Sequence, residues 1–174
     1  MFRKLHIYFL VTPLVSIMML FVFNMCSDDS FDSINEADNN SLTNYSSCKS
    51  FSGNIMSDHS SGEECVDYNY FSNGTLSLTH VNAGFNCCPG ELTANINIEG
   101  GVITIEEFEQ EAGCHCNCLF DLDYEIAIPS PGTYTIKIVT PYVDATEQIE
   151  FIVDLTSTSN GSYCVQRNNY PWGI

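Results

Sequence analysis

The chain has 174 residues, 44% of them hydrophobic, and its 22 Asp and Glu against 5 Lys and Arg give a formal net charge of −17. The length favours one domain, and the hydrophobic content is sufficient for its core. The negative charge repels phosphate groups, so nucleic acid is not expected as a partner, whereas cations and basic proteins are compatible with it.

The first 25 residues have the pattern of an export signal. Arg3, Lys4 and His6 form a short basic segment, and residues 7–23 form an apolar run without a charge. Such a run is short for a transmembrane helix and typical of the hydrophobic region of a secretory signal peptide. Residues 1–25 therefore predict a signal peptide and a protein that works outside the cytoplasm.

Cys26 ends the apolar run and is followed by the sequence Ser-Asp-Asp-Ser. A cysteine in this place resembles the acylation site of bacterial lipoproteins, and the acidic residues after it resemble the surface-export signal of Bacteroidota lipoproteins. The resemblance implies cleavage before Cys26, attachment of palmitate-type chains to it, and anchoring in the outer membrane or at the cell surface. Asn24 and Met25 stand where lipoproteins carry small residues, which leaves open a signal cut elsewhere or an uncleaved anchor.

Residues 26–47 form a polar stretch that is rich in Ser, Asn and Asp and has few large apolar residues. Such a stretch buries too little apolar surface to order itself, so a flexible acidic tether is expected. The rest of the chain, residues 48–174, is expected to be one cysteine-rich domain.

A first β-hairpin is predicted in the middle of this domain. Apolar and polar residues alternate through residues 92–98, and Gly100 and Gly101 then supply a two-residue turn that tolerates positive φ. This turn places Ile98 opposite Ile103, so the apolar side chains of both strands meet on one face.

A second hairpin is predicted after Pro131 and Gly132. Residues 133–138 alternate in polarity, and residues 149–155 return with the same alternation. The Pro-Gly-Thr-Tyr-Thr-Ile sequence that opens this hairpin resembles the late strands of immunoglobulin-like sandwiches.

The whole pattern predicts an all-β fold, because short alternating runs are separated by turn residues and no segment keeps a helical period. Further candidate strands are 66–71, 75–81 and 121–128. Seven or eight strands predict an antiparallel, immunoglobulin-like β-sandwich, with a jelly roll or a small barrel as the alternative. The expected core includes Ile96, Ile98, Ile103, Ile105, Tyr134, Ile136, Phe151 and Val153.

Eight cysteines remain once Cys26 is acylated, and an even number in an exported domain predicts four disulfides and no free thiol. Five form a cluster that comprises Cys87, Cys88, Cys114, Cys116 and Cys118. The other three are Cys48, Cys65 and Cys164. Because both groups are odd, at least one bridge joins them, while the connectivity stays open.

Local geometry restricts which cysteines of the cluster can pair with each other. Adjacent Cys87 and Cys88 are not expected to bond to each other, and their partners are expected in different parts of the fold. Cys114, Cys116 and Cys118 share the alternation of the apolar residues after them, so one extended segment would turn all three sulfurs toward the core. A bulge or bend is expected in a run of that length.

A metal centre is the alternative interpretation of the cluster. Its five sulfurs, with the imidazoles of His80 and His115, offer ligands for Zn²⁺ or Cu(I). The Cys-x-Cys spacing differs from that of common zinc sites, and exported thiols oxidise, so disulfides are favoured.

The cysteine segments resemble a group of uncharacterised, cysteine-rich Bacteroidota lipoproteins. The shared segments are Asn-Ala-Gly-Phe-Asn-Cys-Cys-Pro-Gly, a Cys-x-Cys-x-Cys run that leads into Asp-x-Asp-Tyr, and a late Pro-Gly-x-Tyr strand, all within residues 82–136. The resemblance implies an envelope location and no particular activity.

No catalytic motif is present: the sequence has neither a Gly-x-Ser-x-Gly nucleophile turn nor a phosphate-binding loop. An anchored sandwich of this kind predicts a non-catalytic surface module that binds a protein or a glycan or forms part of the envelope. The alternative is a thiol-based metal-binding or redox protein that uses the cysteine cluster.

Overall fold

The computed structural model describes residues 40–49 and 59–173, which belong to one compact unit. The predicted signal peptide, Cys26 and the tether as far as residue 39 lie outside the described residues. Within the described part of the chain, no helix is long and apolar enough to cross a membrane.

The described residues form nine β-strands and no helix, which confirms the all-β prediction. The strands are β1 (Ser41–Tyr45), β2 (Glu63–Tyr70), β3 (Thr75–Asn86), β4 (Leu92–Glu99), β5 (Val102–Glu109), β6 (Asn117–Ala127), β7 (Thr133–Val139), β8 (Ile149–Asp154) and β9 (Asn160–Gln166). Five form one sheet in the order β1-β6-β3-β2-β9, and four form the other in the order β4-β5-β7-β8. Side chains from both sheets share one hydrophobic core, as in a sandwich.

One detail of the predicted architecture is wrong: the four-stranded sheet is mixed, because β5 and β7 pair in parallel from Val102↔Thr135 onward. Within residues 48–174 the structure has eight strands, β2 to β9, in agreement with the predicted seven or eight, and β1 is an additional strand that precedes them. Between β5 and β7 the chain passes through β6 in the opposite sheet. Two changes of sheet bring it back in its original direction, and the pair is therefore parallel.

Both predicted hairpins are confirmed, and so is the register predicted for the first. Ile98 pairs with Ile103 across a turn in which Gly100 and Gly101 have φ of 59° and 82°. In the second hairpin, Ile136 pairs with Phe151. Six of the eight expected core residues are buried, whereas Ile96 and Ile98 are half-buried because β4 lies at the edge of its sheet.

The ordered domain begins earlier than the predicted boundary at residue 48. β1 pairs with β6 from Ser41↔Glu125 to Tyr45↔Leu122, although its residues fall within the range expected to be a tether. Leu42 packs against the core, and this contact gives a short polar strand enough apolar burial to join the sheet.

Candidate functional site

All eight cysteines of the domain are joined in disulfides, as predicted from their even number. The pairs are Cys48–Cys118, Cys65–Cys164, Cys87–Cys116 and Cys88–Cys114. Cys48–Cys118 is the predicted bridge between the cluster and the other cysteines. It fastens the segment after β1 to the start of β6.

The expectation for Cys87 and Cys88 is half right. They do not bond to each other, but their partners, Cys116 and Cys114, lie in one short segment instead of in different parts of the fold. The reason is the predicted bend: β6 begins only at Asn117, and the chain before it is a loop that folds back along the end of β3. Only Cys118 is buried on the core face, whereas Cys116 is exposed.

Asn86, the last residue of β3, holds these two bridges in position. Its Oδ1 accepts hydrogen bonds from the backbone N–H groups of Cys88 and Cys114, at 2.9 and 3.0 Å. Its Nδ2 donates to the Cys114 carbonyl at 2.7 Å. One buried amide side chain thus spans both segments, and its polar groups are used within the framework itself.

The Asn-Ala-Gly segment of the same strand forms a β-bulge that receives the C-terminal residues. Asn82 has a φ of 62°, a left-handed conformation that asparagine tolerates, and the β3–β6 register shifts between His80 and Ala83. Its carbonyl accepts the indole N–H of Trp172 at 2.8 Å. A Cβ at Gly84 would stand 2.8 Å from the indole ring, so only glycine leaves room for it.

The predicted metal ligands are not brought together as one site. The described residues contain two groups of potential ligands, and within each group the ligand atoms lie within 4.8 Å of one another. One group is Cys48 with Cys87 and Cys118, and the other is His59 with Cys65 and Cys164. Neither group contains His80 or His115. His115 is exposed, and His80 lies deep in the core.

His80 is the centre of a buried polar network that the sequence patterns did not indicate. Its Nδ1 lies 2.8 Å from Glu107 Oε1 in the opposite sheet, and its Nε2 lies 2.9 Å from Glu64 Oε1. The Tyr124 hydroxyl donates to Glu107 Oε1 at 2.7 Å, and Arg167 Nε donates to Glu64 Oε2 at 2.5 Å. The network therefore links the two sheets through polar contacts inside the core.

The charges in this network cancel. Because both imidazole nitrogens face carboxylate oxygens, both carry hydrogen, and His80 is an imidazolium. His80 and Arg167 then balance Glu64 and Glu107, which is the condition under which charges tolerate a dry interior. His80 and Glu64 are 0% and 1% exposed, so the network is closed to any ligand in this structure.

Mutual stabilisation shifts the ionisation of these groups. Burial alone would lower the pKa of His80, but Glu107 and Glu64 outweigh it and raise that pKa to about 10. Burial alone would raise the pKa of Glu64, but His80 and Arg167 outweigh it, and the pKa lies below its usual value of 4.5. Burial and the Glu107 carboxylate raise the pKa of Tyr124 well above 10.0.

A second histidine, which the sequence patterns did not indicate, lies against the disulfide that joins β2 to β9. His59 Nδ1 is 3.2 Å from Cys65 Sγ and 3.6 Å from Cys164 Sγ. Its Nε2 is 3.1 and 3.0 Å from the two carboxylate oxygens of Asp67. The available signal was the alternation of β2, which places Cys65 and Asp67 on one face.

An open groove of about 490 Å³ lies beside the β3–β6 pair, and it carries little chemistry. Glu125 is the single ionisable group among its lining residues, which are Asn73, Gly74, Thr75, Glu125, Ala127, Ile128 and Pro129. Comparison of the chain with protein-family models, with curated proteins and with solved structures finds no match.

Proposed function

We propose that the protein is a lipid-anchored protein of the bacterial cell envelope, exposed at the outer membrane or cell surface, whose domain is a non-catalytic binding or structural module. The observation that carries this proposal is the use of the cysteine-rich segments. Asn82, Gly84 and Asn86 serve the bulge, the Trp172 contact and the paired disulfides, so the most distinctive residues of the chain are committed to its framework. Such a framework suits a small domain outside the cytoplasm.

The surface chemistry favours a protein or a glycan as the ligand rather than a nucleic acid. The formal charge of −17 disfavours phosphate backbones and anionic headgroups, so contact with the membrane is assigned to the lipid on Cys26. The immunoglobulin-like class of the sandwich and membership of the Bacteroidota lipoprotein group stay predictions. The two-sheet architecture supports the first, and the second rests on the sequence segments alone.

Acylation is the part of this proposal that is tested most simply. Cells that express the full chain are expected to incorporate a labelled palmitate analogue into the wild-type protein and not into Cys26→Ala, because only a thiol in this position is acylated. Ser27→Ala, next to the cysteine, is the matched control and is expected to keep the label. Equal labelling of the wild type and Cys26→Ala would contradict the lipid anchor.

The alternative function, a thiol-based metal-binding or redox protein, is supported by one observation. Cys87 Sγ and Cys118 Sγ lie 3.0 Å apart, so the bridges Cys87–Cys116 and Cys48–Cys118 touch. Reduction of both would leave a group of sulfurs able to bind Zn²⁺ or Cu(I). One tightly bound metal ion per chain, in protein purified from its own envelope, would favour this alternative over the proposed function.

A further inference from the structure

We propose that Cys65–Cys164 is a redox-active disulfide, at which His59 acts as the proton donor and acceptor for thiol–disulfide exchange with an external dithiol, a protein oxidoreductase or a small thiol of the envelope. The inference goes beyond the proposed binding or structural role and does not depend on it. It rests on the position of the disulfide, on the contacts of His59, and on the contrast with another bridge.

The two cysteines of this disulfide differ in solvent exposure, which determines which sulfur an external thiolate attacks. β9 is the last strand of its sheet, and Cys164 on it is exposed, whereas Cys65 on the neighbouring β2 is 0% exposed. The two residues are directly paired across the strands, with their Cα atoms 4.1 Å apart. An incoming thiolate therefore reaches Cys164, and Cys65 is the leaving group.

His59 is placed to serve that leaving group. The Asp67 carboxylate accepts a hydrogen bond from Nε2–H, which directs Nδ1 at the sulfurs, with Cys65 the nearer. An imidazole held by a carboxylate and aimed at a sulfur is the arrangement that activates thiols in other contexts. Here Asp67 is a positioning residue, and His59 touches the reacting atoms.

The exchange takes place in two steps. An external thiolate attacks Cys164 Sγ, a mixed disulfide forms, the bond to Cys65 Sγ breaks, and Cys65 Sγ takes the electron pair and the proton from His59 Nδ1. A second external thiolate then attacks the external sulfur of the mixed disulfide and releases Cys164 as a thiolate. The dithiol is oxidised to a disulfide, the protein gains two electrons, and reoxidation follows the reverse course with His59 accepting the proton from Cys65.

Cys88–Cys114 offers an internal reference. Cys88 is exposed like Cys164, but among the described residues no hydrogen bond joins an imidazole to either sulfur of this bridge. Accessibility alone would make the two bridges react alike. If Cys65–Cys164 reacts faster and this difference depends on His59, the imidazole and not accessibility is the cause.

The test measures the reduction rate of each bridge in the full-length mature protein. Dithiothreitol is the reductant, the reaction is quenched by alkylation, and peptide masses report each cysteine separately. In the wild type, Cys65–Cys164 is expected to react at least about tenfold faster than Cys88–Cys114, and His59→Gln is expected to slow it by about 10- to 100-fold, because the leaving thiolate loses its proton donor. His115→Gln, which alters an exposed imidazole beside the other bridge, is expected to leave all rates unchanged.

Whether His59→Gln slows or speeds reduction shows whether His59 donates a proton to the leaving thiolate or only covers the disulfide. If His59 only covers or stabilises the disulfide, its replacement speeds reduction, and that result, like an unchanged rate, would overturn the proposal. Asp67→Asn is expected to slow the reaction less, and the double variant is expected to match His59→Gln alone, since Asp67 acts only through His59.

Discussion

Replacing Cys48 and Cys118 together with alanine is expected to lower the free energy of unfolding by about 4 kcal/mol, whereas replacing Cys88 and Cys114 is expected to lower it by only about 1 kcal/mol. The residues of the first pair are 70 apart in sequence, and their bridge closes a long loop of the unfolded chain. Those of the second pair are 26 apart, but Cys87–Cys116 already joins the same two segments. With that neighbour in place, the second bridge closes a loop of only a few residues.

Because these two bridges join the same two segments, their effects on the free energy of unfolding are not expected to be additive. Removing Cys87–Cys116 alone is again expected to cost about 1 kcal/mol, while removing both parallel bridges is expected to cost about 4.5 kcal/mol, because the last bridge to be removed closes the longer loop. Denaturant unfolding of the four variants, followed by tryptophan fluorescence of Trp172, is the measurement. Equal losses for Cys48–Cys118 and Cys88–Cys114, or additive losses for the two parallel bridges, would contradict the pairing described above.

Replacing His80 with leucine is expected to lower the free energy of unfolding by about 3–5 kcal/mol, because the change leaves the Glu107 carboxylate buried without its cationic partner. Glu107 Oε2 already lacks a hydrogen bond among the described residues, so little remains to compensate its charge. The double variant H80L/E107L removes both members of the pair and is expected to be more stable than H80L. A single variant as stable as the wild type would contradict the account, because it would show that His80 and Glu107 do not form a buried ion pair.

The pH dependence of stability gives an independent check on the same network. The pKa of His80 is 6.5 in the unfolded chain and about 10 in the folded domain, so the folded state binds the proton more tightly. Its contribution is therefore complete below pH 6.5 and is lost as the pH rises toward 10. The wild type is expected to lose stability across this interval, and H80L is expected to lack this part of the loss.

The first hairpin could be predicted with its register because local chemistry determines it. The Gly100-Gly101 turn fixes which residues of β4 and β5 face each other, and alternation fixes which side is buried. The parallel pairing of β5 with β7 could not be predicted in this way. It depends on the passage of β6 through the opposite sheet, which no short stretch of sequence reports.

The cysteine count predicted complete pairing and a bridge to Cys48, Cys65 or Cys164, but it could not identify the pairs. The pairing depends on the bend before Asn117, which brings Cys114 and Cys116 to the end of β3.

The buried network escaped prediction because the partners of His80, among them Glu64 and Glu107, look like ordinary surface residues in sequence. Glu107 continues the alternation of Ile103 and Ile105 and so points inward, yet a glutamate near the end of a strand is usually solvated. Its partner His80 approaches from another sheet, and only the packed fold shows that the charges compensate. His59 was missed for a similar reason, because it lies in the loop before β2 and meets Asp67 and Cys164 only after β2 and β9 pair.

The framework role of the cysteines is tested most directly by the mass of the mature protein, purified without reductant from its own envelope and measured in native and in denatured form. We expect an acylated chain that begins at Cys26, is two hydrogens lighter for each of its four disulfides, retains no metal in the native spectrum, and gains no alkyl group on alkylation under denaturing, non-reducing conditions. A stoichiometric metal ion in the native spectrum, or an alkyl group that peptide mapping places on a cysteine of the cluster, would contradict a purely structural cluster and favour the thiol-based alternative.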